Sequence, residues 1–343
     1  MTEDLTVVIA SPLEAEYVAR IAAVPGVRVL HDPALIPSPT YVADHKGVHP
    51  ALDDEQLARW RGMLAEADVL WDFDWQDANH LADHAPKLRW VQATSSGVGQ
   101  VLVRFGITET PAYTITTAAG VHAVPLAEFA LTGILHVVKG LPMLRRLQAE
   151  RTWQRYTTRQ VQGLHTVVVG LGTVGRESVR LLAAAGLEVT AVGRDGRSYD
   201  VPGATRVIGM SQLDELLPAT DALVLCCPLT DETRGLMDEH RFGLLQHGAA
   251  LVNIARGGVV DEPAMLAALE SGRLGGAALD VFAAEPLPTD SPLWARDDVL
   301  VSPHSASTVD QENGRILEIF LDNLERFRSG REMRNVYDPA RGY

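Results

Sequence analysis

Short runs of β-branched and aliphatic residues alternate with segments whose apolar positions recur at helical spacing through nearly the whole chain. In the N-terminal third, Leu5 to Ala10, Val27 to Leu30, Val69 to Phe73 and Leu88 to Ala93 predict strands. Asp53 to Ala67 predicts a helix, with aspartate at its start. A long helical stretch from His122 to Gln148 follows, interrupted by Gly140 and Pro142. Strands are then predicted at Thr166 to Val169, Glu188 to Val192, Ala222 to Cys226, Ala250 to Ile254, Gly276 to Val281 and Val299 to Val301, with helices between them. A last amphipathic helix is predicted from Thr308 to Phe327, where Ile316, Ile319, Phe320, Leu324 and Phe327 keep the helical period. Such alternation favours parallel sheets covered by helices on both faces. The expected class is therefore α/β with two doubly wound units, the second longer and more regular.

Composition narrows the picture. With 343 residues, 46% hydrophobic and 22% charged, the chain has enough apolar material for two packed domains. A net charge of −14 argues against a nucleic-acid partner, so any anionic ligand must be held by local arginines. Cys226 and Cys227 are adjacent and build no disulfide framework, which points to a reducing cytosol. The acidic start Met1-Thr2-Glu3-Asp4 is unlike a signal peptide, and no apolar run approaches the roughly 18 residues that span a bilayer. A soluble cytoplasmic protein with no membrane partner is expected. The segment Asp32 to Pro50 carries Pro33, Pro37, Pro39 and Pro50, with His31, His45 and His49 in or beside it. It reads as a surface loop; the histidine spacing matches no ligand pattern, and no metal is expected.

Gly170-Leu171-Gly172-Thr173-Val174-Gly175 lies between the strand Thr166 to Val169 and a helix expected over Val174 to Ala185. A glycine pattern is weak evidence alone, but this is the context in which it binds a dinucleotide. The first glycine permits the turn, the second lets backbone approach a pyrophosphate, and the third permits close helix packing. Helix N-terminal amides then face the phosphates. The next strand ends in Val192-Gly193-Arg194-Asp195-Gly196-Arg197. Asp195 at this place would bind ribose hydroxyls and allow NAD; Arg194, with Arg197, would hold a 2′-phosphate and favours NADP. The reading leans to NADP.

Arg256 directly follows a strand, in Asn253-Ile254-Ala255-Arg256-Gly257-Gly258. A guanidinium there can clamp a carboxylate by two parallel hydrogen bonds and polarise a neighbouring carbonyl. His304 follows another strand end, in Val301-Ser302-Pro303-His304. Hydride delivery to a ketone leaves an alkoxide that needs a proton, and histidine is its natural donor near neutral pH. Glu285, in Ala284-Glu285-Pro286, would favour the imidazolium and fix the ring. The set points to reduction of a 2-oxo acid.

With these motifs in view, the chain resembles the D-isomer-specific 2-hydroxyacid dehydrogenase family, glyoxylate/hydroxypyruvate reductase-like, over nearly its whole length. The resemblance is carried by the glycine loop, Cys227-Pro228-Leu229-Thr230 with Thr233, Leu251 to Gly257, Ala278 to Phe282 with Glu285-Pro286, and Pro303-His304. It implies a flavodoxin-like substrate domain of residues 1–115 plus 306–343 and a Rossmann cofactor domain of 116–305. It implies that Cys227, Pro228, Thr230, Thr233, Ile254 and Ala255 line the cofactor groove, with Asp280 and His304 at the nicotinamide. Ser96, Gly97 and Val98 would bind the substrate carboxylate through backbone amides. The family's Ala-Glu pair in the long helix appears as Ala127-Glu128. A homodimer with Val121 to Trp153 as its arm is likewise implied. Ser305-Ala306-Ser307 departs from the family's usual apolar-Ala-Gly, which leaves the local turn open.

In Trp71-Asp72-Phe73-Asp74-Trp75 the two carboxylates would disfavour a phosphorylated substrate, and Trp75 would pack on a small or apolar 2-oxo acid; the alternative is a buried strand end with solvated aspartates. Glyoxylate, hydroxypyruvate or an apolar 2-oxo acid fits best. A dinucleotide-sensing corepressor and a formate dehydrogenase are the rival readings. Nothing resembles an added regulatory segment, and Glu285 stands where a formate dehydrogenase has Gln.

Overall fold

The computed structural model describes residues 4–74, 76–107 and 111–339. The chain forms two compact units, Met1–His122 with Thr308–Tyr343, and Ala123–Ser307. It leaves the first unit after His122 rather than after residue 115, because Ala118 and Val121 are still part of that unit's core.

In the first unit the order is β1 (Leu5–Ile9), α1 (Ala15–Ala22), β2 (Val27–Leu30), α2 (Asp54–Glu66), β3 (Val69–Trp71), α3 (Leu81–His84), β4 (Trp90–Gln92), α4 (Val98–Arg104) and β5 (Thr114–Thr116). The strands pair in parallel in the order β2-β1-β3-β4-β5. Successive residues of β1 point to opposite faces, so Val7 and Ile9 join one apolar cluster while Val8 joins another. Burial on both faces explains why these strands read as continuous apolar runs. Asp53 caps α2: it accepts the Gln56 amide at 2.8 Å, and the Gln56 side chain accepts the Asp53 amide at 3.0 Å.

The second unit opens with α5 (Ala123–Val138) and α6 (Leu141–Ala149), separated at Gly140, whose φ is +62°. There follow β6 (His165–Val169), α7 (Thr173–Ala184), β7 (Glu188–Gly193), β8 (Ala204–Gly209), α8 (Leu213–Leu216), β9 (Ala222–Leu225), α9 (Glu239–Leu244), β10 (Ala249–Asn253), α10 (Glu262–Glu270), β11 (Leu274–Leu279) and β12 (Val299–Val301). These seven strands form one parallel sheet, β12-β11-β10-β9-β6-β7-β8, whose two faces carry separate apolar clusters. The last helix, α11 (Glu312–Arg328), belongs to the first unit. Its Phe320 stacks on Trp90 at 5.0 Å and meets Trp71 edge-on at 5.4 Å.

Two strands lay outside the sequence reading. β5 is three residues long, and β8 is an edge strand with exposed residues, so neither carries a strong apolar run. The segment 32–50 is not simply a surface loop. Leu35 and Ile36 are buried in the first unit's core. Asp44 ties the segment together by accepting the amides of Thr40, Lys46 and Gly47 and the Thr40 hydroxyl. Among the described residues no cluster of three or more His, Cys, Asp or Glu is placed to hold a metal, and no single helix is long and apolar enough to cross a membrane.

In the second unit α5 lies directly on the sheet. A Cβ on Gly133 would stand 2.5 Å from the Ala278 Cβ and 2.9 Å from a Val252 methyl. Gly133→Ala should therefore destabilise by about 1–3 kcal/mol, against the roughly 1 kcal/mol gain that helix propensity alone gives. A urea midpoint that falls is the expected result; a midpoint that rises would show that helix and sheet separate without cost.

Candidate active site

The glycine loop leaves β6 and enters α7. Gly170 has a φ of +103°, and a Cβ there would lie 2.6 Å from the Cys227 amide nitrogen. A Cβ on Gly175 would lie 1.7 Å from the Gly170 carbonyl oxygen. Both glycines are required by the protein's own packing. Gly172 is different: a Cβ there would meet no heavy atom within 4 Å. Gly172 is also the N-cap of α7 and supplies no side-chain cap, so the first-turn amides beginning at Thr173 and Val174 are left for a ligand. Leu171, buried beside the loop, accepts Arg176 Nε on its carbonyl at 3.2 Å. These residues fit a dinucleotide pyrophosphate.

Across β9, Cys227 is buried, and burial pushes its thiol up to about 11 and that of Cys226 up to about 12. They are packing groups rather than nucleophiles. Thr233 accepts the Thr230 amide at 2.8 Å and donates to the Pro228 carbonyl at 2.6 Å, so its hydroxyl shapes the loop that presents Pro228. Ile254 and Ala255 are buried at the end of β10.

At the end of β7 the Asp195 carboxylate accepts the Ser211 amide, at 3.2 Å to each oxygen, and the Ser211 hydroxyl at 2.8 Å. Arg194 and Arg197 are exposed. The Arg194 amide donates to the Tyr199 hydroxyl at 3.1 Å, and the Tyr199 ring fills the space a side chain on Gly193 would need, 2.3 Å from its Cβ position. The Arg176 guanidinium lies 5.9 Å from the centre of that ring. Tyr199, Arg176 and Ser211 were not singled out in the sequence; the one visible hint was the glycine at the strand end.

The loop after β10 is fixed by Asn253, which is buried, accepts the Ala255 amide at 3.1 Å and donates to the Arg256 carbonyl at 3.2 Å. Arg256 is half-buried, with Nη1 donating to the Ala255 carbonyl at 2.7 Å. Burial lowers its pKa, while the charges of Glu285 and Asp280 oppose that shift. Gly257 has no room for a side chain, since a Cβ would fall 1.9 Å from the Phe282 carbonyl carbon and oxygen. The Phe282 amide donates to Glu285 Oε1 at 3.0 Å, and Glu285 Oε2 is 2.8 Å from His304 Nδ1. Burial pushes the Glu285 pKa up, but the hydrogen bonds from His304 and the Phe282 amide outweigh it, and the net shift is downward. Arg256, Glu285 and His304 are thus brought together.

His304 has a φ of +54°, a left-handed region that few non-glycine residues occupy. Asp280 ties the flanking residues together: Oδ1 accepts the Ser302 hydroxyl at 2.6 Å and the amides of Ser305 and Ala306 at 2.8 and 2.9 Å. The turn left open by Ser305-Ala306-Ser307 is therefore built on a buried carboxylate on both sides of His304.

Residues 131–306 match the family model for the D-isomer specific 2-hydroxyacid dehydrogenase NAD-binding domain. The chain belongs to this family. A glyoxylate reductase of Thermofilum pendens is 31% identical over 314 residues, 90% of this chain and 89% of that one. A D-isomer specific 2-hydroxyacid dehydrogenase of Xanthobacter autotrophicus Py2, solved with NADPH and MES, superposes with a TM-score of 0.77 at 30% identity over 100% of both chains. An NADPH-dependent glyoxylate/hydroxypyruvate reductase of Sinorhizobium meliloti, solved with NADP and sulfate, gives a TM-score of 0.77 at 25% identity over 99% of this chain and 100% of that one. The protein is a 2-hydroxyacid dehydrogenase that uses a nicotinamide dinucleotide.

In the first unit, Ser96 and Gly97 are half-buried at the turn into α4, and Val98 is buried. Trp75 lies outside the described residues. Asp72 and Asp74 are not solvated; each is 1% exposed. Asp72 accepts the Thr94 hydroxyl at 2.9 Å, and Asp74 accepts Trp60 Nε1 at 3.3 Å and the Gln76 amide at 3.0 Å. Turned inward in this way, they no longer argue against a phosphorylated substrate.

Glu285→Gln in this dehydrogenase keeps the size of the side chain but removes the charge that favours the protonated imidazole. The turnover number for reduction should fall about 10- to 100-fold, and the pH profile of turnover should change. Stopped-flow rates across pH, with cofactor affinity measured by fluorescence as a control, read this directly. An unchanged pH profile would remove Glu285 from the account.

Proposed function

We propose that this enzyme reduces a small 2-oxo acid, glyoxylate, hydroxypyruvate or one with an apolar side chain, to the D-2-hydroxy acid, and that NADPH is preferred to NADH. The observation that supports the reaction is the His304 Nδ1 to Glu285 Oε2 contact in the unit that holds the glycine loop and the half-buried Arg256. The observation that supports NADPH is the Asp195 carboxylate, whose oxygens are turned to Ser211, while Arg194 and Arg197 stand exposed at the same strand end.

The bound nicotinamide supplies the hydride in reduction and accepts it in oxidation. Arg256 holds the substrate carboxylate and draws electron density from the adjacent carbonyl. His304, with Nδ1 occupied by Glu285, gives the proton from Nε2 to the oxygen that becomes the hydroxyl, and the neutral ring takes it back in the reverse direction. Amides at the start of α7 hold the pyrophosphate, Arg194 and Arg197 hold the 2′-phosphate, and Cys227, Pro228, Thr233, Ile254, Ala255 and Asp280 line the groove. Ser96, Gly97 and Val98 offer amides to the substrate carboxylate.

We also infer a homodimer. Val124, Leu141, Leu144, Trp153 and Tyr156 are exposed apolar residues within or just after the helical arm, and Trp153 is 98% exposed.

Purified protein assayed with glyoxylate, hydroxypyruvate and phenylpyruvate should oxidise NADPH with a kcat/KM at least about tenfold above that for NADH. Arg194→Asp should raise the KM for NADPH far more than the KM for NADH. Equal effects on both cofactors would overturn the NADPH assignment, and no turnover with any of the three acids would overturn the reductase.

A further inference from the structure

Three segments of the first unit converge on the first residue of α11. Ser96 Oγ donates to the Ala118 carbonyl at 3.1 Å and lies 3.0 Å from His122 Nδ1. His122 Nε2 lies 3.1 Å from Glu312 Oε1, and His45 Nε2 lies 3.6 Å from the same oxygen. Glu312 is 5% exposed. Its Oε2 and both ring nitrogens of His45 are buried without a hydrogen-bond partner in the described structure. Buried polar groups are normally fully satisfied, and a cluster that is not calls for a reason other than stability.

The donors and acceptors around His122 favour one protonation state. The Ala118 carbonyl can only accept, and when the Ser96 hydroxyl donates to it, Ser96 Oγ accepts from Nδ1–H. The Glu312 carboxylate can only accept from Nε2–H. The network closes when His122 carries both protons. His122 is the last residue of the first unit before the chain crosses to the second, and Glu312 lies shortly after the chain returns at Thr308.

We propose that His122, held as an imidazolium between Glu312 and Ser96, is a positioning residue that fixes the Ser96–Val98 turn and thereby sets the affinity for the carboxylate substrate. The proposal rests on the reading that this turn binds the substrate carboxylate. The Glu312 carboxylate beside His122 is held in its charged form. Burial alone would raise its pKa, but the His122 and His45 contacts outweigh that effect and bring it down to about 2. Other groups facing the cluster are Tyr41, whose pKa is raised by burial and then by the charges of Asp44 and Glu312, and Arg315, whose Nη1 reaches the Val121 carbonyl at 3.5 Å. Glu14 is occupied by Asn313 Nδ2, at 3.1 and 2.9 Å.

Two measurements test this. Nitrogen-15 NMR of the wild-type histidine rings, assigned with His122→Gln, should show both His122 nitrogens protonated near neutral pH. A ring with one proton would overturn the network whatever the activity does. In kinetics, His122→Gln should raise the KM for the 2-oxo acid about 10- to 100-fold, with kcat and the KM for NADPH within about twofold. Ser96→Ala should raise the same KM, and the double variant should be no worse than His122→Gln alone. Fully additive effects would overturn the coupling between His122 and the turn. If Ser96→Ala and His122→Gln both leave the KM unchanged while the ring is doubly protonated, the carboxylate-binding role of the turn is overturned and the network is structural only.

Discussion

Five parallel strands of the second unit end at one level, and the candidate catalytic arrangement depends on that register. Val169 of β6 pairs with Leu225 of β9, Leu225 with Asn253 of β10, Asn253 with Leu279 of β11, and Leu279 with Val301 of β12. The residues that follow this row are the glycine loop, Cys226-Cys227, the Arg256 loop, Asp280 and the His304 turn. A slip of one residue would turn each strand's side chains to the opposite face. The register is held by burial on both faces, so the apolar clusters that stabilise the sheet also aim the polar residues at its edge.

Beyond the strand ends, the loops are held by close backbone approach and by carboxylates that accept backbone amides. The Arg256 loop touches the Phe282–Ala283 backbone at Gly257, and the Phe282 amide holds Glu285. Asp280 holds the turn on both sides of His304. Arg256, Glu285 and His304 therefore sit on short loops with little freedom, the condition under which a fixed hydrogen-bonding array stabilises developing charge. In a chain of net charge −14, the half-buried Arg256 is a local positive group whose charge burial opposes and Glu285 and Asp280 favour.

Much of this was legible in the sequence because parallel strands buried on both faces read as apolar runs, and because Gly170, Gly175 and Gly257 are demanded by close backbone approaches. What was not legible depends on partners distant in sequence. Asp195 has ribose-binding spacing but is turned to Ser211. Asp72 and Asp74 follow a predicted strand and read as facing substrate or solvent, yet Thr94, Trp60 and Gln76 satisfy them in the interior. The 32–50 segment has loop composition, and only the tertiary structure shows Leu35 and Ile36 in the core. Gly193 is the one local hint of the Tyr199 ring packed on it, and the His122–Glu312 contact leaves none, since it joins segments far apart in sequence.

In the proposed reaction the loops at this sheet edge reduce a 2-oxo acid on one face, with His304 delivering the proton. Chiral analysis of the glycerate formed from hydroxypyruvate and NADPH tests it most directly. The account requires D-glycerate, lost when His304 is replaced by asparagine while cofactor binding is retained. L-glycerate, a racemic product, or full activity of the His304→Asn enzyme would contradict it.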